Sequence, residues 1–392
     1  MSTIIRNVRP FGHESVDVLI DDGRIVAIGP SIEAEGADAI DGGGSLLFQG
    51  LVDAHTHMDK TLMGLSWHRH TAGPALLDKI EHERALRREE GIDSHQQSSR
   101  HADAAILAGT THIRSFSDID TEWKLDGFHG LMQTRADYAD RVTIQVVAFP
   151  QSGMLVRPGT VELMDAALAE GADLVGGLDP CTIDRDPKGH IDTIFGLAEK
   201  YDVDVDMHLH EPGELGAFDL ELIAERTKVL GWQGRVTISH AFCLGSVEPA
   251  RRAALIDLLV ENDIAIMSTG PGASAAPPIR ELREAGVRVC TGNDGIQDAW
   301  GPLNRPDMLL RTYLLSYRNN FRRDDDIETA IDIATNGGAD VMDIGDYGFA
   351  SGKAADLVLI DHETHVSAVV HQPRPWLVMK GGRVTARDGE LV

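Results

Sequence analysis

The chain has 392 residues, with 36 basic and 62 acidic side chains and a formal net charge of −26. A surface this acidic repels phosphate backbones and anionic membranes, so we expect neither nucleic acid nor a membrane as a partner. The three cysteines, Cys181, Cys243 and Cys290, match neither a disulfide framework nor a zinc-ribbon spacing. Together with an N-terminus that lacks the apolar core of a signal peptide, and no apolar run near the ~18 residues of a membrane span, they predict a cytoplasmic protein.

Both ends of the chain predict short strands. The first 48 residues contain STIIRNVRP, ESVDVLIDDGRIVAIGP and SLLFQG, with a hairpin turn at Asp22 and Gly23. The C-terminal segments ADLVLID, PWLVMKGGRVT and ELV have the same character, with a turn at Gly381 and Gly382. We therefore predict a small β-sandwich domain built from residues 1–48 and 350–392, flanking a catalytic domain of residues 49–349.

Between these ends, strand-like runs alternate with amphipathic helical stretches such as LMDAALAEG and RRAALIDLLVEND. The strand candidates end near His57, Phe116, Phe149, Leu178, His210, Phe242, Gly270 and Asp294. From the second onward they recur roughly every 30 residues, which is the size of a βα unit. Eight such units predict an α/β fold of the (β/α)8 TIM-barrel type, in which catalytic groups lie at the C-terminal ends of the strands.

The first barrel strand ends in GLVDAHTHMDKT. His55 and His57 are two residues apart, so their side chains point to the same face of a strand and could share one divalent metal ion. By itself the HxH pattern is weak, because two hydrogen-bonded core histidines would look the same.

The fifth strand, DVDVDMHLHEPGE, places Asp204, Asp206, His208 and His210 on one face. A polar column inside a barrel is costly unless its groups are satisfied, and a metal site at its top would satisfy them. For Asp204 and Asp206 we expect deep hydrogen bonds rather than metal ligation.

The sixth strand, RVTISHAF, carries His240, and the eighth, VRVCTGNDG, ends in Asp294. Gly292 and Gly295 flank that carboxylate and leave room for a ligand. An isolated strand-end histidine is more often structural, and an aspartate beside glycine is more often part of a turn. Taken together, however, strands one, five, six and eight each bring a metal-competent or acid–base residue to the same mouth, which predicts a functional metal site.

This pattern resembles the amidohydrolase superfamily over essentially the whole chain. The segments QVVAFPQSG, SHAFCLG and GNDGIQDAWGPLN resemble its cytosine deaminase branch. HTHMDK, VGGLDP and DVDVDMHLH are also similar to the triazine-degrading N-isopropylammelide amidohydrolases, which remove an alkylamine.

The resemblance implies one divalent metal ion per chain, Zn²⁺ or Fe²⁺, with His55, His57, His208 and Asp294 as its ligands. It implies that Glu211 carries protons, that His240 orients the attacking water, and that Gln151 hydrogen-bonds the substrate ring. Asp294 thereby joins Glu211 and His240 in the catalytic set. The implied enzyme is a hydrolase of C–N bonds other than peptide bonds, a cyclic amidine deaminase that releases ammonia.

Some residues depart from the cytosine deaminase pattern. Phe116 stands where that pattern has a histidine, and Gly295 replaces a second carboxylate that contacts the ring. We expect Gly295 to leave space and remove a hydrogen-bond acceptor, which Asp179 could supply from another side. Trp300 is a further candidate for substrate contact, by stacking on the ring, or else a packing residue. The substrate class is therefore a free amino-substituted heterocycle: a cytosine- or isocytosine-like pyrimidine, a pterin or a triazine.

Two other functions remain open. A cyclic-amide hydrolase of the dihydroorotase or hydantoinase kind usually has a carboxylated lysine after strand four, and ADLVGGLDP has no lysine. A non-catalytic scaffold relative typically loses ligands, and all expected ligands are present. The sequence also leaves open whether His68 and His70 line the pocket or are solvated, whether His210 lies behind the ligands, and whether the chain forms a homo-oligomer.

Overall fold

The strands of the protein form two sheets, one at the two termini and one in the middle of the chain. The computed structural model describes residues 2–272 and 275–392. Its strands are β1 (Thr3–Pro10), β2 (Val16–Asp21), β3 (Arg24–Gly29), β4 (Asp38–Asp41), β5 (Leu46–Gln49), β6 (Leu51–Thr56), β7 (Thr110–Asp118), β8 (Thr143–Phe149), β9 (Leu174–Leu178), β10 (Asp204–His208), β11 (Val236–Ser239), β12 (Ile264–Met267), β13 (Val289–Cys290), β14 (Leu357–Ile360), β15 (Leu377–Lys380), β16 (Arg383–Arg387) and β17 (Glu390–Leu391).

Strands β6 to β13 form an eight-stranded parallel sheet in sequential order. The sheet closes on itself because Thr56 pairs with Asp294 in a parallel bridge and the Asp294 N–H donates to the His55 carbonyl at 2.8 Å. The predicted (β/α)8 TIM barrel is therefore confirmed.

The last barrel strand is shorter than the sequence predicts, because it ends at Cys290 rather than near Asp294. Just beyond it, Gly292 packs directly against the first strand: a Cβ at that position would lie 2.4 Å from the His55 nitrogen. Only glycine permits this close approach, and from there the chain turns to bring Asp294 to the mouth.

The terminal sheet has the order β17-β16-β15-β14-β5-β1-β2-β3, with β4 also paired to β1. The two ends of the chain meet where β14 runs antiparallel to β5. Asp22 and Gly23 have φ values of 47° and 75°, as the tight turn between β2 and β3 requires. The predicted small β unit from both termini is confirmed, whereas the exact domain limits stay a prediction.

The helices surround the barrel, and one of them, α1, lies within a loop. They are α1 (Leu76–Glu90), α2 (Ser94–Leu107), α3 (Asp126–Asp137), α4 (Thr160–Ala169), α5 (Pro187–Tyr201), α6 (Gly213–Leu230), α7 (Cys243–Ser246), α8 (Pro249–Glu261), α9 (Ile279–Ala285), α10 (Met308–Arg318), α11 (Asp324–Asp332), α12 (Gly338–Val341) and α13 (His365–His371). Helix α1 belongs to the long loop after β6, and its Glu83 contacts Lys60, which follows that strand. Within residues 2–272 and 275–392, we find no helix with the length and apolar content that crossing a bilayer requires.

Candidate metal centre and active-site cavity

Five side chains from four strand ends converge at the mouth of the barrel. Asp294 Oδ1 lies 3.6 Å from His55 Nε2 and 3.4 Å from His57 Nε2, and Asp294 Oδ2 lies 4.0 Å from His240 Nε2. His208 Nε2 lies 3.3 Å from His57 Nε2. The ligand atoms of His55, His208, His240 and Asp294 all lie within 4.8 Å of one another. The predicted ligand His57 is not in that group, although its ring lies beside His208 and Asp294.

The residues of this cluster fit a divalent cation. The Nε2 atoms of His55 and His240 are buried and have no hydrogen-bond partner among the described residues. Burial lowers the pKa of His55 and holds the pKa values of His208 and His240 well below the usual range, so these rings are neutral and offer lone pairs. Neutral imidazoles beside a carboxylate are a typical ligand set for zinc or iron.

The charge of Asp294 supports the same interpretation. Burial would raise its pKa, but the neighbouring His55, His57 and His240 hold that pKa well below the usual range. Burial and Lys60 would lower the pKa of His57, but Asp118 and Asp294 raise it to about 9. A positive charge is therefore favoured beside the Asp294 carboxylate, and a divalent cation held by this cluster would supply it.

The backbone at two of these positions adopts a conformation that non-glycine residues rarely have. His240 has a φ of 74° and Asp294 a φ of 61°. The His240 N–H donates to the Met267 carbonyl at 2.9 Å, so the neighbouring strand holds the conformation in place. Such strain, costing about 1–3 kcal/mol per residue, is concentrated at functional sites.

A chain of buried polar groups orients His55 from below. Ser239 Oγ lies 3.0 Å from His55 Nδ1 and donates to Asp206 Oδ1 at 2.7 Å. Arg114 Nη1 donates to the second oxygen of Asp206 at 2.9 Å. The deep hydrogen bonds predicted for Asp206 are confirmed. Asp204 is a correction, because it lies at the opposite end of β10, partly exposed, and accepts from Arg235 Nε at 2.6 Å.

Sequence reasoning did not identify Arg114 and Ser239. Arg114 precedes Phe116 by two residues on β7, so the alternation of a strand places both inside the barrel. Ser239 immediately precedes His240, at the last position of β11. A search for polar residues at inward positions would have found both.

Lys60, which follows the first barrel strand, contacts residues at the ends of the second and third strands. Its Nζ lies 3.0 Å from Asp118 Oδ2, 3.3 Å from Glu83 Oε2 and 3.1 Å from Gln151 Oε1. Glu83 comes from helix α1 and also accepts a hydrogen bond from Trp300 Nε1. Although Lys60 belongs to the HTHMDK segment, the sequence alone gave it no role.

A cavity of about 490 Å³ opens above these groups. Besides the metal candidates His57, His208, His240 and Asp294, its wall includes Lys60, Gln151, His210, Phe242, Asp298, Trp300 and Leu303. Two of the predicted substrate contacts, Gln151 and Trp300, therefore line the cavity. This volume is in the range of pockets that hold a single small molecule.

Asp179, the third predicted substrate contact, is not among the described residues that line this cavity. Its Oδ1 accepts from the His210 backbone N–H at 2.6 Å, and its Oδ2 lies 2.8 Å from His210 Nδ1. Both carboxylate oxygens are thus used to hold His210, whose ring stacks on His240 at 4.4 Å between centroids. Burial lowers the pKa of His210, but Asp179 outweighs it and raises that pKa.

Glu211 is also absent from the cavity wall among the described residues. Its Oε1 accepts from the Thr182 backbone N–H, and its Oε2 is buried without a hydrogen-bond partner in the described part of the chain. Burial and the neighbouring Asp219 raise the pKa of Glu211 to about 9, so the carboxyl group carries a proton at neutral pH.

The two loop histidines are held away from the cavity wall. His68 Nε2 lies 3.0 Å from His82 Nε2 on α1, and His70 Nε2 lies 2.8 Å from the Asp298 carbonyl. They line a separate, smaller cavity of about 60 Å³ beside the mouth. Both therefore fix the loop that carries them.

Comparison with known proteins agrees with this arrangement. The model of the amidohydrolase family matches residues 119–386. The chain is 33% identical to N-isopropylammelide isopropyl amidohydrolase of Pseudomonas sp. (strain ADP), over 99% of this chain and 98% of that protein.

Two solved structures are similar over the full length of the chain. N-isopropylammelide isopropylaminohydrolase from Burkholderia multivorans ATCC 17616 superposes with a TM-score of 0.97 at 45% identity, covering 100% of both chains. The 5-methylcytosine deaminase from Klebsiella pneumoniae, liganded with 5-fluorocytosine, has a TM-score of 0.86 at 29% identity, covering 100% of this chain and 98% of that one.

Proposed function

The chain belongs to the amidohydrolase family and is a hydrolase of C–N bonds, and from this premise we propose that it removes an exocyclic amino group from a free, lactam-bearing nitrogen heterocycle. The observation that carries the proposal is the position of Gln151, a hydrogen-bond donor in the same cavity as the histidine and aspartate cluster. With ammonia as the leaving group, the reaction is a deamination in which water replaces the amino group.

The orientation of the Gln151 amide follows from its neighbour. Lys60 can only donate, so the contact of 3.1 Å fixes the amide oxygen on the side of Lys60. The amide nitrogen is then left to donate to a ligand. Because the Lys60 ammonium also contacts Asp118 and Glu83, its donors are all engaged. The cavity therefore favours a ring with a hydrogen-bond acceptor such as a lactam oxygen.

We assign one divalent ion per chain, Zn²⁺ or Fe²⁺, to His55, His57, His208 and Asp294. Such an ion supplies Lewis acidity, which lowers the pKa of a bound water molecule from about 15.7 to about 7. His240 contributes a buried Nε2 without a protein partner in the described chain, and we propose that it orients the attacking water.

Proton delivery is assigned to Glu211, as the family resemblance implies. Its raised pKa supports a role as an acid, because the protonated carboxyl can donate to a ring nitrogen or to the departing amine. His210 is the competing group, since it lines the cavity and Asp179 holds its ring. Asp179 then affects the substrate through His210.

A second candidate is removal of an alkylamine instead of ammonia. It is favoured by the 45% identity to the N-isopropylammelide isopropylaminohydrolase from Burkholderia multivorans. Phe242, Pro302 and Leu303 also give the cavity an apolar part that could contact an alkyl group.

The cyclic-amide hydrolase alternative requires a neutral lysine that can be carboxylated. The lysines of the cavity wall are Lys60 and Lys79 among the described residues. Burial lowers the pKa of Lys60, but Asp118 and Glu83 outweigh it and raise that pKa above the usual range. A lysine held as an ammonium ion does not react with carbon dioxide, which argues against this alternative.

The test is a panel of free bases, nucleosides, saturated cyclic amides and alkylamino-triazines. Ammonia and alkylamine release are measured separately, with the metal content determined on the same preparation. We expect turnover of free heterocycles and one metal ion per active chain. A His55→Ala variant, which removes one ligand, serves as the inactive control. Turnover only of nucleosides, or ring opening of cyclic amides without amine release, would contradict the proposal.

A further inference from the structure

The carboxylate of Asp298 is held rigidly in the wall of the cavity. Asp298 is 3% exposed and lines the cavity beside Gly295 and Trp300. Its Oδ1 accepts from the backbone N–H groups of Trp300 at 2.8 Å and Gly301 at 3.2 Å. His70 Nε2 lies 2.8 Å from the Asp298 backbone oxygen. Both the side chain and the backbone of Asp298 are therefore fixed before any ligand binds.

The second oxygen of the Asp298 carboxylate occupies the space that a side chain at position 295 would fill. A Cβ at Gly295 would lie 2.2 Å from Asp298 Oδ2. The expectation that Gly295 leaves open space is therefore wrong. An acceptor is present at this place, supplied by a residue three positions further along the chain.

Asp298 Oδ2 has no hydrogen-bond partner of its own in the described chain. The Lys60 ammonium, which lies in the same cavity wall, is engaged by Asp118, Glu83 and Gln151. A carboxylate oxygen enclosed by a cavity is costly unless a donor reaches it. A ligand in the cavity is the donor that the structure leaves room for.

We propose that Asp298 determines specificity by accepting a hydrogen bond from an N–H or amino donor of the heterocycle. This inference rests on the proposed function, in that the ring binds in this cavity. Together, Gln151 and Asp298 select rings that present a carbonyl oxygen to the Gln151 amide and an N–H group to the Asp298 carboxylate.

The test compares wild type with Asp298→Asn by calorimetric binding of ammelide, isocytosine and their N-methyl derivatives. Asparagine keeps an oxygen to accept from Trp300 and Gly301 but replaces Oδ2 with a donor. Wild type should bind the N–H form about 5- to 150-fold more tightly than the N-methyl form, because the N-methyl form leaves the buried acceptor unpaired. Asp298→Asn should lose that preference while its melting temperature stays near that of wild type.

Two further variants separate recognition from folding. Asp307→Asn is the matched control, because Asp307 also accepts from two backbone N–H groups, those of Leu309 and Leu310, but lies outside the described cavity wall. It should keep the preference. The double variant Gly295→Asp/Asp298→Ala supplies the carboxylate from position 295 and removes the side chain with which it would collide. It should restore part of the preference for the N–H form.

The outcomes distinguish this inference from the proposed function. Amine release by wild type tests the proposed function, whereas the ratio of dissociation constants tests Asp298. An unchanged preference in Asp298→Asn, or a wild type that binds N-methyl and N–H forms equally or binds neither, would overturn the role of Asp298.

Discussion

Replacing Glu211 by glutamine tests which group moves protons in the active site. The change is conservative because a glutamine oxygen can still accept from the Thr182 backbone N–H, and its amide can donate towards Asp219. The fold and the metal cluster should therefore persist. Loss of general acid–base catalysis typically costs ~10²–10⁴ in rate, or about 3–5 kcal/mol in activation free energy. We expect kcat to fall by this factor with metal content unchanged.

The pH dependence gives this prediction a second readout. Burial and Asp219 raise the pKa of Glu211 to about 9. Only the protonated carboxyl can donate, so kcat of wild type should fall as the pH rises through about 9. The alkaline limb should be absent in Glu211→Gln. In Asp219→Asn the nearby negative charge is removed, so the pKa of Glu211 should drop and the limb should move to lower pH.

His210→Asn is the matched variant, because its amide can still donate to Asp179 while the ring that stacks on His240 is lost. Steady-state kinetics and metal analysis on both variants decide between the two groups. If Glu211→Gln keeps near-normal turnover and His210→Asn loses ~10²–10⁴, the assignment to Glu211 is refuted and His210 carries the protons.

Three further predictions concern the metal and the ring. Elemental analysis of active protein should give one divalent metal ion per chain, and a requirement for two would contradict the assigned ligand set. Asp206→Asn should weaken metal binding about 10–100-fold in a chelator competition, because it disturbs the Ser239 contact to His55, whereas Asp204→Asn should leave the affinity unchanged. Gln151→Ala should raise the Michaelis constant about 5–150-fold by leaving a ligand acceptor unpaired, and an unchanged constant would place the ring elsewhere.

The barrel and the position of its ligands could be predicted from the sequence because both depend on local patterns. Strand alternation and the spacing of βα units define which residues reach the mouth. The observed ends of β8 and β9, Phe149 and Leu178, are the predicted ones. Strands β11 and β12 end at Ser239 and Met267, before the predicted Phe242 and Gly270, and β13 ends at Cys290, before the predicted Asp294. The end of β13 depends on a contact between Gly292 and His55, which are far apart in the sequence.

The partners of each polar residue could not be predicted in the same way. Asp179 follows β9 at the mouth, so the pattern placed it near the substrate, but both its oxygens are used by His210 from the next strand. Asp204 has the same strand face as Asp206, yet its depth in the barrel differs and leaves it partly exposed. Periodicity gives the face of a side chain, whereas its hydrogen-bond partner depends on tertiary packing.

Asp298 and Gly295 show how a local departure from a family pattern can preserve its chemistry. A motif comparison treats the glycine as the loss of a carboxylate, because it compares only residues at the same aligned position. In three dimensions the turn from Asp298 to Gly301 places the Asp298 carboxylate against Gly295, where a side chain at position 295 would collide with it. Substitutions at 295 and 298 should therefore be non-additive: Gly295→Asp alone should weaken binding, but after Asp298→Ala the same change should improve it. Equal effects of Gly295→Asp in both backgrounds, measured as dissociation constants, would show that the two positions act independently.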